Sequence, residues 1–176
     1  SSGTFVENKP YHVYKSGASW GYGGLNISMS FDGKKILFTN YTSNTAGKAG
    51  VMYYNEDTYQ WGKMEANGAF TANTGDGNSG NDDHYNLDRS GIHSYYGMHS
   101  KMAGDGKSVL VGGYHHHDLG TQSIWQFNEE TYEWGKFGPN YESFTAGTPH
   151  EVTRSSTVGH HGHCLDISAD GRTVLV

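Results

Sequence analysis

The chain has few of the features that mark several common classes of protein. It has one cysteine, Cys164, so it cannot form an internal disulfide. It has no apolar run long enough to span a membrane as a helix, and no window with the apolar spacing of an amphipathic helix. A formal net charge of −6, with no basic cluster, argues against binding to nucleic acid.

Motifs of common enzymes are absent as well. The sequence contains no G-x-S-x-G, H-E-x-x-H, P-loop or Rossmann glycine pattern, and no pair of carboxylates spaced as a catalytic dyad. We therefore expect a protein that is not an enzyme. The lack of an initiator Met and of a signal-like segment favours a processed mature chain or a segment of a longer protein.

Glycine and tyrosine are abundant, with 26 and 13 residues among 176, while charged residues make up only 17%. This composition is typical of an all-β, loop-rich protein outside the cytosol. The length suits a single domain with a modest core.

Two segments of the chain are nearly identical. YYNEDTYQWGK ends at Lys63, and WQFNEETYEWGK ends at Lys136, 73 residues later. An Asp-Gly pair precedes the tryptophan by 29 residues in both copies. A fixed core between connectors of unequal length indicates a repeated supersecondary unit. Three such pairs occur, each followed by an apolar run: Asp32-Gly33, Asp105-Gly106 and Asp170-Gly171.

The third copy lacks its tryptophan half. It stops at Val176, six residues past Asp170. The missing half matches the N-terminal segment VENKPYHVYK, Val6–Lys15, without a gap. Tyr11 stands at the repeated tyrosine, and Val13 replaces the tryptophan. We therefore predict three units, of which the third is split between the two termini.

Each unit is predicted to form four antiparallel strands. Ile27 and Met29 alternate with polar residues, as in a half-buried strand, so we expect Asn26 to face away from the apolar side. Asp-Gly is a strong hairpin signal, and the run that follows it suits a central strand. Unit 1 is assigned to residues 24–63, unit 2 to 97–136, and unit 3 to 162–176 plus 4–15, with connectors 64–96 and 137–161.

Repeated four-stranded antiparallel units are the blades of β-propellers. The pattern G-x-x-x-x-x-S-x-D-G-(K/R)-x-(V/I)-L-V-G-G, followed by T-Y-x-W-G-K, resembles propeller repeats of the FG-GAP and Kelch-like group, which occur in secreted and surface proteins of microbes and algae. The resemblance covers the three cores but not the connectors. It implies a propeller-like fold and a binding or structural role, not a reaction. Integrin-type FG-GAP repeats have an acidic calcium loop where this chain has only Asp-Gly, so calcium is not expected at those turns.

Histidines form one candidate metal site. His115 and His117, followed by Asp118, come after the second apolar run, and imidazole with carboxylate suits zinc or copper. Consecutive residues of a strand point to opposite faces, so at most two of three adjacent histidines converge. A polar surface loop is the alternative.

A second candidate metal site lies in the first connector, in the segment TGDGNSGNDD. Calcium binds six to eight oxygen ligands, and a glycine-rich loop with many Asp and Asn residues can supply them. The alternative is a solvated turn that needs no ligand. The candidate calcium ligands are Asp76, Asn78, Asn81, Asp82 and Asp83.

Two glycosylation sequons begin at Asn26 and Asn40, and both are expected to be accessible. Aromatic residues also suit the binding of sugars, whose rings stack on aromatic faces. Tyr95, Tyr96 and Tyr114 are the candidate ligand-binding residues, together with Trp125. The tyrosines and tryptophans that recur between units are expected instead to pack, and we predict that Trp61 and Trp134 are buried between neighbouring sheets.

Together these patterns predict a glycosylated extracellular or cell-surface structural protein. The split third unit predicts its main partner, which is another copy of the chain. We expect the C-terminal strand, Val174, Leu175 and Val176, to pair with the N-terminal strands around Tyr11 and Val13 of the next copy, because an unpaired apolar edge is a template for another chain. Head-to-tail contacts of this kind give a ring or a filament. A sugar-binding lectin is the second hypothesis, and a metal-dependent enzyme using the loop histidines is the third.

Overall fold

The computed structural model describes residues 26–42, 45–73, 85–87, 96–113, 121–153 and 164–176. Within these ranges the chain is all-β with antiparallel pairing throughout, which confirms the predicted class. The one helical element in the described part is a 3-10 turn, Pro139–Tyr141. No helix there is long and apolar enough to cross a membrane.

The first sheet is a meander of five strands with a sixth strand added to it. Its long third strand pairs with β4 near one end and with β6 at its middle, along the same edge. The strands are β1 (Asn26–Met29), β2 (Lys35–Thr42), β3 (Thr45–Asn55), β4 (Gln60–Met64), β5 (Phe70–Ala72) and β6 (Tyr85–Asn86).

The second sheet repeats this plan strand for strand. Its third strand, β9, pairs with β10 at one end and with β12 at the other. The strands are β7 (His99–Met102), β8 (Ser108–Gly113), β9 (Thr121–Asn128), β10 (Glu133–Phe137), β11 (Phe144–Ala146) and β12 (His150–Thr153). Each sheet therefore contains the four predicted strands and two more from the connector.

The C-terminal hairpin is the counterpart of the first two strands of each sheet. It consists of β13 (Asp166–Ile167) and β14 (Val174–Leu175), which pair antiparallel around the third Asp-Gly turn. The other half of the predicted third unit, residues 4–15, lies outside the described residues, as do Tyr11 and Val13.

The three Asp-Gly turns adopt the same backbone conformation. Gly33, Gly106 and Gly171 have φ values of 71°, 67° and 69°. Glycine takes this left-handed conformation without steric cost, which is why it follows Asp in every unit. In this respect the repeat predicted from sequence is confirmed at the level of the backbone.

The glycine of each W-G-K motif allows a close approach between strands. Gly62 in β4 faces the carbonyl of Thr71, and Gly135 in β10 faces the carbonyl of Thr145. A Cβ atom at either glycine would overlap that carbonyl oxygen. The motif therefore permits a fifth strand to pair with the fourth.

The core lies between the two sheets and includes one of the two tryptophans predicted to be buried. Trp134 is fully buried, and its Nε1 donates a hydrogen bond of 2.6 Å to the Tyr53 hydroxyl of the first sheet. Trp61 is only half-buried and stacks on Tyr54 of its own sheet. The burial prediction is thus confirmed for Trp134 and wrong for Trp61.

Candidate functional site

The three Asp-Gly turns are joined to one another by backbone hydrogen bonds. The amide of Phe31, in the first turn, donates to the carbonyl oxygen of Gly104 in the second, at 2.8 Å. The amide of Asp105, in the second turn, donates to the carbonyl oxygen of Ala169 in the third, at 2.9 Å. Consecutive units therefore dock through the same part of their structure.

The carboxylates of these turns accept hydrogen bonds from groups in their own turns. Asp32 accepts hydrogen bonds from the Ser30 hydroxyl at 2.6 Å and from the Lys34 amide at 2.9 Å. Asp170 accepts equivalent bonds from the Ser168 hydroxyl and a neighbouring amide. Bonds from the serine hydroxyl, above all, hold the pKa of each of these carboxyls below its usual value.

The interface between units 1 and 2 is built on β2 and β7. Leu37 and Met102 belong to one buried cluster. The hydroxyls of Thr39 and Ser100 lie 3.2 Å apart, and the Met102 amide donates to the Ser28 hydroxyl at 3.0 Å. Apolar contact and satisfied polar groups together give a specific interface.

A second part of the same interface is aromatic. Phe127 of unit 2 packs against Tyr53 of unit 1, with ring centroids 5.7 Å apart. The Lys35 ammonium lies 4.7 Å from the centre of the Phe127 ring and donates to the Gly106 carbonyl oxygen at 3.0 Å. Burial lowers the Lys35 pKa, while the nearby carboxylates of Asp32 and Glu129 act in the opposite direction.

The interface between units 2 and 3 repeats the first arrangement. Leu110 stands at the position of Leu37, and it packs with Ile167, which stands at the position of Met102. Leu165 lies directly over Gly112, where a Cβ atom would meet it. One exposed ion pair, Lys101 with Asp166 at 3.7 Å, adds little to this contact.

At each end of the array, the residues equivalent to this interface are exposed. In unit 1, Ile27 is 63% exposed and Met29 is 50% exposed, although their counterparts in unit 2 are buried against unit 1. In unit 3, Leu175 is 69% exposed, whereas its counterparts Leu37 and Leu110 are fully buried by the unit that follows each. Unit 1 therefore exposes the surface that, in unit 2, packs against the preceding unit. Unit 3 exposes the leucine surface that, in units 1 and 2, is covered by the following unit.

The exposed end of unit 1 bears on two predictions. The apolar side of β1 faces solvent, and Asn26 lies on the opposite side, which faces unit 2 with Ser28. Asn26 therefore faces away from the apolar side, as predicted, but it is the apolar side that is exposed. Trp134 is buried because unit 1 covers it. No unit precedes unit 1 among the described residues, so the equivalent Trp61 is only half-buried. We call the face formed by Ile27 and Met29 the leading face, and the face around Leu175 the trailing face.

No protein-family model, curated protein or solved structure matches the chain.

The structure gives mixed outcomes for the predicted binding residues. Tyr96 is 1% exposed, accepts a hydrogen bond from Trp125 Nε1 at 3.0 Å and donates one to the Leu87 carbonyl. Tyr96 and Trp125 are core residues, so their prediction as sugar-binding residues was wrong. Val174 and Leu175 pair with β13 in the C-terminal hairpin, and Val176 follows them with 41% exposure.

The remaining candidate sites lie outside the described residues. They are the calcium candidates Asp76, Asn78, Asn81, Asp82 and Asp83, the group His115, His117 and Asp118, and the tyrosines Tyr95 and Tyr114. Asn40 lies in β2, and its side chain is not described. In the described part of the chain no cluster of three or more His, Cys, Asp or Glu residues could hold a metal ion. Cys164 is a free, exposed cysteine.

Sequence reasoning missed the strands that the connectors contribute. Phe70–Ala72 and Phe144–Ala146 have the same sequence, FTA, and both pair with the strand that carries W-G-K. A search for the repeat beyond Lys63 and Lys136 would have found this match, because one extra residue in the second connector is the only offset.

Proposed function

We propose that the protein is a non-enzymatic structural protein that assembles by packing the leading face of one copy on the trailing face of another. The single observation that carries this proposal is the difference in exposure at one repeat position. Leu37 and Leu110 are fully buried, while Leu175 is 69% exposed. Burying a leucine side chain stabilises an interface by about 1.5–3 kcal/mol, so each exposed half favours association with its complement.

The two faces differ from each other, so the contact between copies is heterologous. Such a contact closes into a ring if its rotation allows and otherwise extends as a filament. We propose that the units are propeller-like blades, and that strands of neighbouring copies complete the third unit. Secretion, a place at the cell surface and glycosylation at Asn26 and Asn40 remain predictions.

Charge substitutions at the two faces test the proposal. We expect the unaltered chain to sediment as oligomers at micromolar concentration, because both faces are intact. Ile27→Glu and Leu175→Glu should each give monomers, because either change buries an unpaired carboxylate at the contact. An equimolar mixture of the two variants should form dimers and nothing larger, since each supplies the face that the other lacks.

Gln60→Glu is the matched control, because it adds the same charge at an exposed position of β4. It should assemble as the unaltered chain does. A well-folded, monodisperse monomer of the unaltered chain at micromolar concentration would rule out the proposed function.

A further inference from the structure

A groove of about 410 Å³ lies between the second sheet and the third Asp-Gly turn. Ser108, Gln126, Phe137 and Tyr141 line one side of it, and the turn around Asp170 closes the other. Tyr141 is 64% exposed and stacks on Phe137 with ring centroids 5.2 Å apart. The groove therefore has an aromatic wall open to solvent.

The equivalent region between units 1 and 2 is filled. Strands β9 and β10 of unit 2 insert their aromatic side chains there, and Trp134 bonds to Tyr53. Tyr132 lies against Gly68, where a Cβ atom would come within 3.0 Å of its ring. This space is therefore filled by the segment F-N-E-E-T-Y-E-W, Phe127–Trp134, of the next unit.

Three substitutions between the units explain why the groove beside unit 3 has a different shape. Relative to unit 1, Ser108 replaces Lys35 and Gln126 replaces Tyr53. The position of Gly68 in its turn is taken by Tyr141, and both residues have positive φ. At the position of Tyr53, the groove thus lacks the phenol that accepts the Trp134 indole hydrogen bond in unit 1, and it suits an occupant without a tryptophan there.

We propose that this groove binds the segment Val6–Lys15 of a second copy, an inference that rests on the proposed head-to-tail assembly. The segment aligns with the filling strands of unit 2 without a gap. Val6 corresponds to Phe127 and Tyr11 to Tyr132. Val13 replaces the tryptophan whose partner in unit 1 is the Tyr53 phenol. In the groove that phenol is replaced by Gln126, whose Oε1 accepts from the Phe137 amide at 3.2 Å, so the two changes match each other.

The charges of groove and segment are complementary. Four carboxylates line the groove against two cations: Asp105, Glu129, Glu130 and Asp170 against Lys107 and Arg172. The segment has two lysines, Lys9 and Lys15, and one glutamate, Glu7. Complementary charge of this kind favours the encounter and fixes the register of binding.

The exposure of both end faces indicates that the bound segment comes from a second copy rather than from the chain's own N-terminus. If unit 3 were completed within one molecule, its trailing face would adjoin unit 1, yet both Leu175 and Ile27 are exposed. In head-to-tail assembly one neighbour supplies both the segment and the leading face, because the segment directly precedes β1 in the sequence.

A peptide of residues 1–15, labelled with a fluorophore, tests the inference by fluorescence anisotropy. The receptor is the full-length Ile27→Glu variant, whose trailing face and groove are intact but whose self-assembly is blocked. We expect saturable binding that weakens at least tenfold when Gln126→Trp fills the groove. Glu130→Lys should weaken binding severalfold by removing charge complementarity, and a peptide with Tyr11→Ser and Val13→Asp should not bind.

The outcomes separate this inference from the proposed function. If the unaltered chain assembles but the peptide does not bind, the groove assignment is wrong while face packing stands. If the chain stays monomeric, the proposed function fails whatever the peptide does. Unchanged peptide affinity in Gln126→Trp, with its melting temperature preserved, would also overturn the assignment. Direct binding of a soluble oligosaccharide such as chitotriose, without peptide binding, would identify a sugar site instead.

Discussion

At the scale of single residues, the repeat is defined by positions where the local backbone geometry favours one residue type. Gly62 and Gly135 are such positions, since each lies against a carbonyl of the next strand. Asp32 and Asp170 are others, because each accepts hydrogen bonds from a serine and a backbone amide two residues away from it. Both kinds of position concern how the backbone turns or pairs rather than how much surface is buried.

The glycine requirement can be measured. Gly135→Ala should lower the free energy of unfolding by about 3 kcal/mol, because the methyl group forces β10 and β11 apart. Gly147→Ala is the matched control: no atom lies within 4 Å of its Cβ position, and only its positive φ of 68° is strained, at about 1 kcal/mol. Urea unfolding of both variants checks the difference, and equal losses would contradict the close approach of the two strands.

The turn carboxylates predict how stability depends on pH. The folded-state pKa values of Asp32 and Asp170 lie below the ordinary 3.8, so between the two states' pKa values the unfolded chain binds more protons. The stabilisation they provide is present above the unfolded pKa and is lost as pH falls through the folded pKa.

We therefore expect the urea midpoint to fall as pH decreases from about 5 to about 2, and to fall less in the Asp32→Asn, Asp170→Asn double variant. Asp57→Asn, which removes a carboxylate from an exposed turn, serves as the control. The same pH dependence in the double variant and the unaltered chain would show that the serine hydrogen bonds do not favour the ionised form.

At the scale of strands, the local sequence pattern predicted the main strands and turns but not the short strands that pair with them. The Asp-Gly hairpins and the strands on either side follow from local chemistry, since glycine conformation and apolar alternation need no information from distant residues. β5, β6, β11 and β12 are two to four residues long and lie in the connectors, too short for a periodic pattern to emerge. Their existence depends on pairing with strands that are already formed.

The same distinction explains the errors at the candidate site. Alternation shows that β1 has two faces, but not which of them another unit covers, so the exposure of Ile27 and Met29 was not predicted. Tyr96 and Trp125 were predicted as ligand-binding because aromatic faces stack on sugar rings, but both are buried. Their hydrogen bond to each other lies in the core, between residues 29 positions apart. The groove and the exposed faces could not be predicted, because they arise where consecutive units meet.

At the scale of the whole molecule, one docking relation occurs twice within the chain. The turn-to-turn hydrogen bonds, the leucine at the centre of each interface and the residue over it recur from unit 1 to unit 2 and from unit 2 to unit 3. A relation that repeats in this way places no limit on the number of units. The exposed leading and trailing faces are therefore the positions at which a further unit would add.

Crosslinking tests whether copies add through that relation. Met29 corresponds to Ile167, and Leu175 corresponds to Leu110, which are packed together between units 2 and 3. In a Cys164→Ser background, which removes the free exposed thiol, Met29→Cys with Leu175→Cys should therefore form disulfides between copies under mild oxidation. Denaturing electrophoresis should show an extended ladder for a filament, or products that end at the dimer for a two-copy ring. Met29→Cys alone can give at most dimers, and Gln60→Cys with Leu175→Cys should give no ladder, because β2 and β3 separate β4 from the leading face on β1. If the Met29 and Leu175 pair crosslinks no better than the Gln60 control, copies do not associate through these faces.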